Sequence, residues 1–126
     1  MKNRKIAAYI RLSKEDENKG ESESVINQRE IIKKYIEENK MGRCNFYIDD
    51  GYSGGNFERP EFKRMIKEIE SKNICAVITK DTSRLGRDFI ETSYYMFKYF
   101  PEHNIRYISI LENFDTFNPN GVEDMI

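Results

Sequence analysis

The chain has 126 residues, enough for one compact domain and too few for two. With 38% hydrophobic residues, eight Phe and eight Tyr, it can fill a core, which sets aside disorder, a collagen-like fibre and a coiled coil. Lys plus Arg total 21 against 22 Asp plus Glu, a net charge of −1 that excludes a general basic coat for nucleic acid and leaves only a local arginine cluster open.

In chain order, Lys5 to Leu12 (KIAAYIRL) predicts a first strand, and the charged stretch Ser13 to Glu23 a solvated loop. From Ser24 onward, Val25, Ile32, Tyr35 and Ile36 recur at helical spacing with Gln28 among them, and Gly42 sits where a helix stop belongs. Asn45 to Asp49 (NFYID) predicts a second strand, followed by the turn-rich DGYSGGNFER. Pro60 suits the first turn of a second helix, whose Phe62, Met65, Ile66 and Ile69 share a face. Ile74 to Thr79 (ICAVIT) has the near-continuous apolar character of a central strand buried on both faces. Asp88 caps a third helix, with Phe89, Ile90, Tyr94, Phe97 and Phe100 as its apolar stripe and Pro101 near its end. Ile105 to Leu111 (IRYISIL) predicts a fourth strand. Asn113 to Gly121 reads as a loop, and Gly121 to Ile126 as the start of a further helix; the expectation is a fragment of a longer protein.

Four β runs separated by helices predict an α/β, three-layer domain with a mainly parallel central sheet of about four strands and right-handed crossovers. In such sheets ligands sit beyond the carboxyl ends of the strands. Arg11 and Ser13 gather there after the first strand, Asp49, Asp50 and Ser53 after the second, and Lys80, Asp81, Ser83, Arg84 and Arg87 after the third. This convergence of distant segments is the strongest clue to function.

Arginines around a serine hydroxyl point to phosphoryl transfer, because forked guanidinium donors match the non-bridging oxygens of a phosphodiester and stay protonated. Arg11 and Ser13 are two apart at a strand end, so both can face one side. Arg84 and Arg87 are three apart, neighbours if that turn is helical. Surface charges and a simple cap account equally well for the same residues. Gly51, Gly54 and Gly55 fit neither a Walker nor a dinucleotide fingerprint. Asp49-Asp50 is either a turn cap or half of a cation site. The single histidine, His103, reads as solvated and supplies neither a zinc cluster nor a choice of triads. The aromatic stripe Tyr94, Tyr95, Phe97, Tyr99 and Phe100 fits core or an interface better than base stacking. No apolar run approaches the ~20 residues of a membrane span, and MKNRKIAAYIRLS lacks a signal-peptide core. Cys44 and Cys75 lie far apart without zinc-type spacing, as in a reduced, cytoplasmic protein with buried thiols.

Tyr9-Ile-Arg11-Leu-Ser13, then Gln28-Arg29, then Asp50-Gly-Tyr-Ser53-Gly54 with Arg59-Pro60, then Ser83-Arg84-Leu-Gly-Arg87-Asp88 together resemble the serine recombinase (resolvase and invertase) family. The resemblance runs from the first strand to the loop near Asp115-Thr116, and Lys80 to Asp88 (KDTSRLGRD) looks most like the large, transposase-type branch of mobile elements. It implies a resolvase-like catalytic domain over residues 1–126, ending at the start of a long helix, with DNA-binding domains following. It implies a serine that attacks a DNA phosphodiester and leaves a 5′-phosphoserine bond, then strand exchange between two recombination sites and religation. Dimers and tetramers of the full-length protein, no metal and no cofactor are implied with it, and the isolated fragment is expected to be inactive.

Residue by residue, Ser13 matches the nucleophile, and Arg11, Arg84 and Arg87 the phosphate-binding arginines. Gln28, Asp50, Ser53 and Arg59 match supporting polar positions, and Tyr9 a supporting aromatic one. Many small resolvases carry Asp immediately before the first arginine of Arg-Leu-Gly-Arg; here Ser83 stands there, with Asp81 two residues earlier. The general acid is therefore open between Asp81, an arginine and water. A non-enzymatic receiver-like or ligand-sensing α/β module is the alternative, supported by Asp49, Asp50 and Lys80 at strand ends. A phosphatase or nuclease of another class comes third and lacks metal ligands with credible spacing.

Overall fold

A computed structural model describes residues 4–14 and 24–117. The loop expected after Ser13 and the helix expected from Gly121 therefore fall largely or wholly outside the described residues. The sheet has five strands, β1 (Lys5–Leu12), β2 (Cys44–Asp50), β3 (Ile74–Thr79), β4 (Arg106–Ser109) and β5 (Phe114–Asp115), in the order β2-β1-β3-β4-β5. The first four are mutually parallel, and β5 runs antiparallel to β4. Its two residues lie where the sequence reads as loop. Phe114 enters the core there and Asp115 closes a two-pronged ion pair on Arg106, at 2.6 and 3.0 Å.

Strand alternation sorts the two faces. Ile6, Ala8 and Ile10 of β1 join Ala76, Ile78 and Ile108 beneath α1 (Val25–Glu38). Ala7, Tyr9, Tyr47, Val77 and Tyr107 face the opposite layer. That layer is α2 (Pro60–Glu70) and a helical run made of α4 (Phe89–Tyr94), a π-helical turn (Tyr95–Tyr99) and α5 (Phe100–Glu102). Ser24 caps α1, its hydroxyl accepting from the Asn27 amide at 2.9 Å. The helix stops at Asn39, and the left-handed residue is Lys40 (φ 51°), so Gly42 lies beyond the stop assigned to it. On α2, Phe62, Met65 and Ile69 are buried as their spacing requires.

The third helix shows a different face from the expected one. Phe89, Ile90, Tyr94 and Phe97 of the expected stripe are exposed, Phe100 is buried as expected, and Thr92, Met96 and Tyr99 take the remaining core positions. This helix is apolar on two sides, so periodicity alone does not select the inner one. Both cysteines are half-buried free thiols rather than buried ones, and burial pushes the Cys44 thiol up to about 11. Among the described residues, no helix is long and apolar enough to cross a membrane.

Candidate active site

The strand order reverses around β1, with β2 on one side and β3 on the other. The carboxyl end of β1 is thus the crevice to which three loops contribute. The amides of Gly51 and Tyr52 donate to the Leu12 carbonyl, which ties the loop after β2 to the end of β1. Ser13 follows immediately and is 6% exposed.

Beneath Ser13 lies a pair of interlocked arginines. Arg11 is fully buried, donating from Nη2 to the Ser83 carbonyl at 2.6 Å, from Nε to the Arg84 carbonyl at 3.3 Å and from Nη1 to the Tyr52 carbonyl at 3.1 Å. Arg84, also buried, returns the contact, its Nη1 donating to the Arg11 carbonyl at 2.8 Å. Gln28 of α1 donates from Nε2 to that same carbonyl at 3.1 Å. Gly54 permits this packing, since a Cβ on it would lie 2.7 Å from Arg11 Nη2 and 2.8 Å from Arg11 Cζ.

Arg84 sits on a one-turn helix, α3 (Thr82–Leu85), capped by Asp81, whose side chain accepts from the Arg84 amide at 3.2 Å. Ser83 Oγ donates to Asp81 Oδ1 at 2.6 Å. Glu112 holds the same helix end from the β4–β5 turn, accepting the Thr82 amide at 2.9 Å and the Thr82 hydroxyl at 2.7 Å. The helix breaks at Gly86, so Arg84 and Arg87 do not share a helical turn. Arg87 is exposed, and its amide donates to the Gly54 carbonyl at 2.7 Å. It borders a cleft of ≈ 560 Å³ between α3, α4 and β5, lined also by Ser83, Gly86, Phe89, Met96 and Phe97.

A second layer lies deeper. Asp49, 1% exposed, accepts the Glu61 and Phe62 amides at 3.0 and 2.9 Å, capping α2 from a distant strand, and takes the Tyr9 hydroxyl at 2.7 Å. Arg59 is buried among Tyr9, Phe57 and Phe62, donating to Tyr9 Oη at 2.9 Å, the Leu85 carbonyl at 2.7 Å and the Asn56 carbonyl at 2.9 Å. Burial pushes the Tyr9 phenol well above its ordinary value; the Arg59 charge pulls it down, and the Asp49 charge pushes it up.

The structure thus brings Tyr9, Arg11, Ser13, Gln28, Arg59, Asp81, Arg84 and Arg87 to one strand edge. Asp50 and Ser53 are at the same edge but exposed, Ser53 Oγ accepting the Gly55 amide at 2.9 Å. Of the two adjacent carboxylates, Asp49 is the one in the network. The strand register accounts for this, since Tyr9 pairs with Tyr47 and Arg11 with Asp49, whereas the resemblance points to Asp50, which lies on the other side. Lys80 also belongs to the edge: it is 5% exposed and donates to Asn27 Oδ1 of α1 at 3.2 Å. His103 precedes β4 at the opposite edge and is half-buried against Tyr99, with ring centroids 4.0 Å apart. Among the described residues, no three His, Cys, Asp or Glu side chains are grouped to hold a metal.

Known proteins share this fold. The N-terminal catalytic domain of TP901-1 integrase superposes with a TM-score of 0.83 at 31% identity, covering 97% of this chain and 88% of that one. A resolvase family site-specific recombinase from Streptococcus pneumoniae shares the fold with a TM-score of 0.69 at 22% identity, covering 97% of this chain and 87% of that one. An uncharacterized immunity region protein 3 of Bacillus phage phi105 is 34% identical over 65 residues, 52% of this chain and 78% of its own length. The family model of the resolvase N-terminal domain matches residues 6–126, and the chain belongs to that family of serine recombinase catalytic domains.

Proposed function

We propose that this domain cuts and rejoins DNA through a covalent serine linkage, with Ser13 as nucleophile. Its Oγ attacks a backbone phosphorus and forms a 5′-phosphoserine ester. The bond to the 3′-oxygen breaks, and the proton lost from Oγ is balanced by one taken up at the leaving 3′-hydroxyl. Rejoining is the reverse reaction with the 3′-hydroxyl of the exchanged strand. The ester retains the energy of the phosphodiester, so the chemistry needs no nucleotide.

The observation that carries this reading is the seating of Ser13 two residues beyond Arg11, whose carbonyl is held by Arg84 at 2.8 Å. A serine hydroxyl is a weak nucleophile that ordinarily needs a base, and His103 is at the far edge of the sheet. Guanidinium groups at the strand end offer the other route, favouring the alkoxide and stabilising charge on the phosphoryl oxygens. Removing one such donor typically costs ~10²–10³ in rate. The buried Arg11 and Arg84 hold the end of β1, and the exposed Arg87 and Ser53 are the side chains best presented to a DNA backbone. Exchange between two duplexes cuts four strands and needs a Ser13 at each. Two DNA sites held by a tetramer, built through dimers, are therefore the assembly this chemistry calls for. A receiver-like role finds less support, because the three donors on buried Asp49 already occupy the carboxylate that would accept a phosphoryl group.

The test is to trap the natural polypeptide on DNA with detergent, digest both and locate the phosphoserine. The expected position is Ser13. Ser13→Ala retains DNA binding and forms no adduct, whereas Ser53→Ala and Ser83→Ala form it more slowly. An adduct formed by Ser13→Ala overturns the reading.

A further inference from the structure

Arg84 and Asp81 form an ion pair whose shortest approach, Nε to Oδ1, is 3.6 Å, too long for a hydrogen bond. The Ser83 hydroxyl fills the gap. Ser83 Oγ donates its one hydrogen to Asp81 Oδ1 at 2.6 Å. With that hydrogen committed, the oxygen is left only as an acceptor, and it takes Arg84 Nε at 3.3 Å and Nη2 at 3.1 Å. One edge of the guanidinium is thereby fixed. The remaining nitrogen, Nη1, points at the Arg11 carbonyl, two residues before Ser13.

We infer that Ser83 is a positioning residue for Arg84: its hydroxyl passes the charge of Asp81 to the guanidinium and sets the direction of Nη1 toward the end of β1. Asp81 then acts as the charged anchor of this relay rather than as a group that touches DNA. The inference rests on the proposed role of the arginines in phosphoryl transfer. The same relay explains why a hydroxyl can stand next to Arg84. The carboxylate it serves comes from the cap of α3, whose backbone also holds the helix through the Asp81 carbonyl, which accepts from Thr79 Oγ1 at 2.9 Å.

The experiment is single-turnover cleavage by the natural polypeptide of a nicked duplex, carrying the sequence on which the wild-type protein is first trapped. Ser83→Ala, Ser83→Thr, Arg84→Ala and the double variant Ser83→Ala/Arg84→Ala are compared. Ser83→Ala is expected to slow cleavage roughly ten- to a hundredfold, the scale of a hydrogen bond to a charged group. Ser83→Thr, which keeps the hydroxyl, stays within about threefold of wild type on the same scale. In the Arg84→Ala background the Ser83→Ala change adds nothing, because both act through one guanidinium. A purely structural serine would instead slow both backgrounds by the same factor. Wild-type cleavage by Ser83→Ala, failure of Ser83→Thr to restore the rate, or full additivity with Arg84→Ala overturns the inference. Wild-type cleavage by Arg84→Ala overturns the role of Arg84 itself, a separate failure.

Discussion

Replacing Tyr9 with Phe removes one oxygen from the middle of the molecule and leaves the ring in place. That oxygen donates to Asp49 at 2.7 Å and accepts from Arg59 at 2.9 Å, so two buried charged side chains meet on it. Hydrogen bonds to charged groups contribute about 1.5–3 kcal/mol each. Asp49 keeps the Glu61 and Phe62 amides and Arg59 keeps two carbonyls, so the loss falls short of two independent bonds, at about 2–4 kcal/mol. The ring retains its edge-on contact with Phe62, 5.5 Å between centroids, so no cavity penalty is added. Unfolding entropy of ~2.1 cal/mol/K per residue makes each kcal/mol worth about 4 °C in a chain of 126 residues, and Tm should fall by roughly 8–15 °C. Urea unfolding and calorimetry of Tyr9→Phe, Arg59→Met and the double variant measure this. The two changes should couple by at least ~1 kcal/mol, since each removes the other's partner. A loss under ~0.5 kcal/mol, within the range of ordinary surface changes, or additive behaviour, would refute the shared-hydroxyl account.

Gly54→Ala should impair cleavage while leaving most of the core intact, because its methyl strikes the Arg11 guanidinium; unchanged cleavage would show that Arg11 can move aside without consequence. Burial raises the phenols of Tyr9, Tyr47 and Tyr107, so the folded state disfavours their ionised forms. Their contribution to stability is complete below the unfolded phenol value of about 10 and is lost as pH rises above it, with Cys44 adding to the trend. The urea midpoint should therefore fall above about pH 10, and a midpoint that holds steady to pH 11 would contradict the assignment. DNA cleavage by the natural polypeptide should persist in EDTA, since in the proposed mechanism guanidinium groups carry the charge stabilisation; a strict magnesium requirement for the chemical step would count against it. Arg11→Lys should be as damaging to cleavage as Arg11→Ala, and substantial activity in the lysine variant would show that one charge suffices.

Strand positions and the site edge were legible in the sequence because alternation, apolar runs and turn residues are local signals. β1 and β3 begin and end where their apolar runs predict. Most of the inner face of the third helix is not legible, since Phe89, Ile90 and Phe97 compete with Met96 and Tyr99 for the core, and only Phe100 is buried as its place in the stripe predicts. β5 is not legible in the sequence, because two residues carry no period. In the candidate site, the polar residue types point to the edge where the structure gathers them, but the arginines' partners are backbone carbonyls, which no side-chain pattern encodes. Asp49 and Asp50 are both visible at the strand end in the sequence, and only the register, which seats Asp49 with Tyr47 beside Arg11 and opposite Asp50, separates them.

Those carbonyls explain why the arginines are buried. A helix of four residues has no internal partners for its last carbonyls, and α3 resolves this with guanidinium groups from elsewhere in the chain. The Ser83 and Arg84 carbonyls accept from Arg11, and the Leu85 carbonyl accepts from Arg59. Positive charge at a helix carboxyl end is also electrostatically favourable. The strand end that carries Ser13 and the helix that carries Arg84 are thus latched to each other by groups that also belong to the candidate site. Arg11 spans two successive carbonyls with Nε and Nη2 while Nη1 reaches a third, on Tyr52. The single ammonium of a lysine has no such fork. Lysine at position 11 therefore keeps the charge and loses the latch, and Arg84 loses its fixed place over the end of β1 along with it.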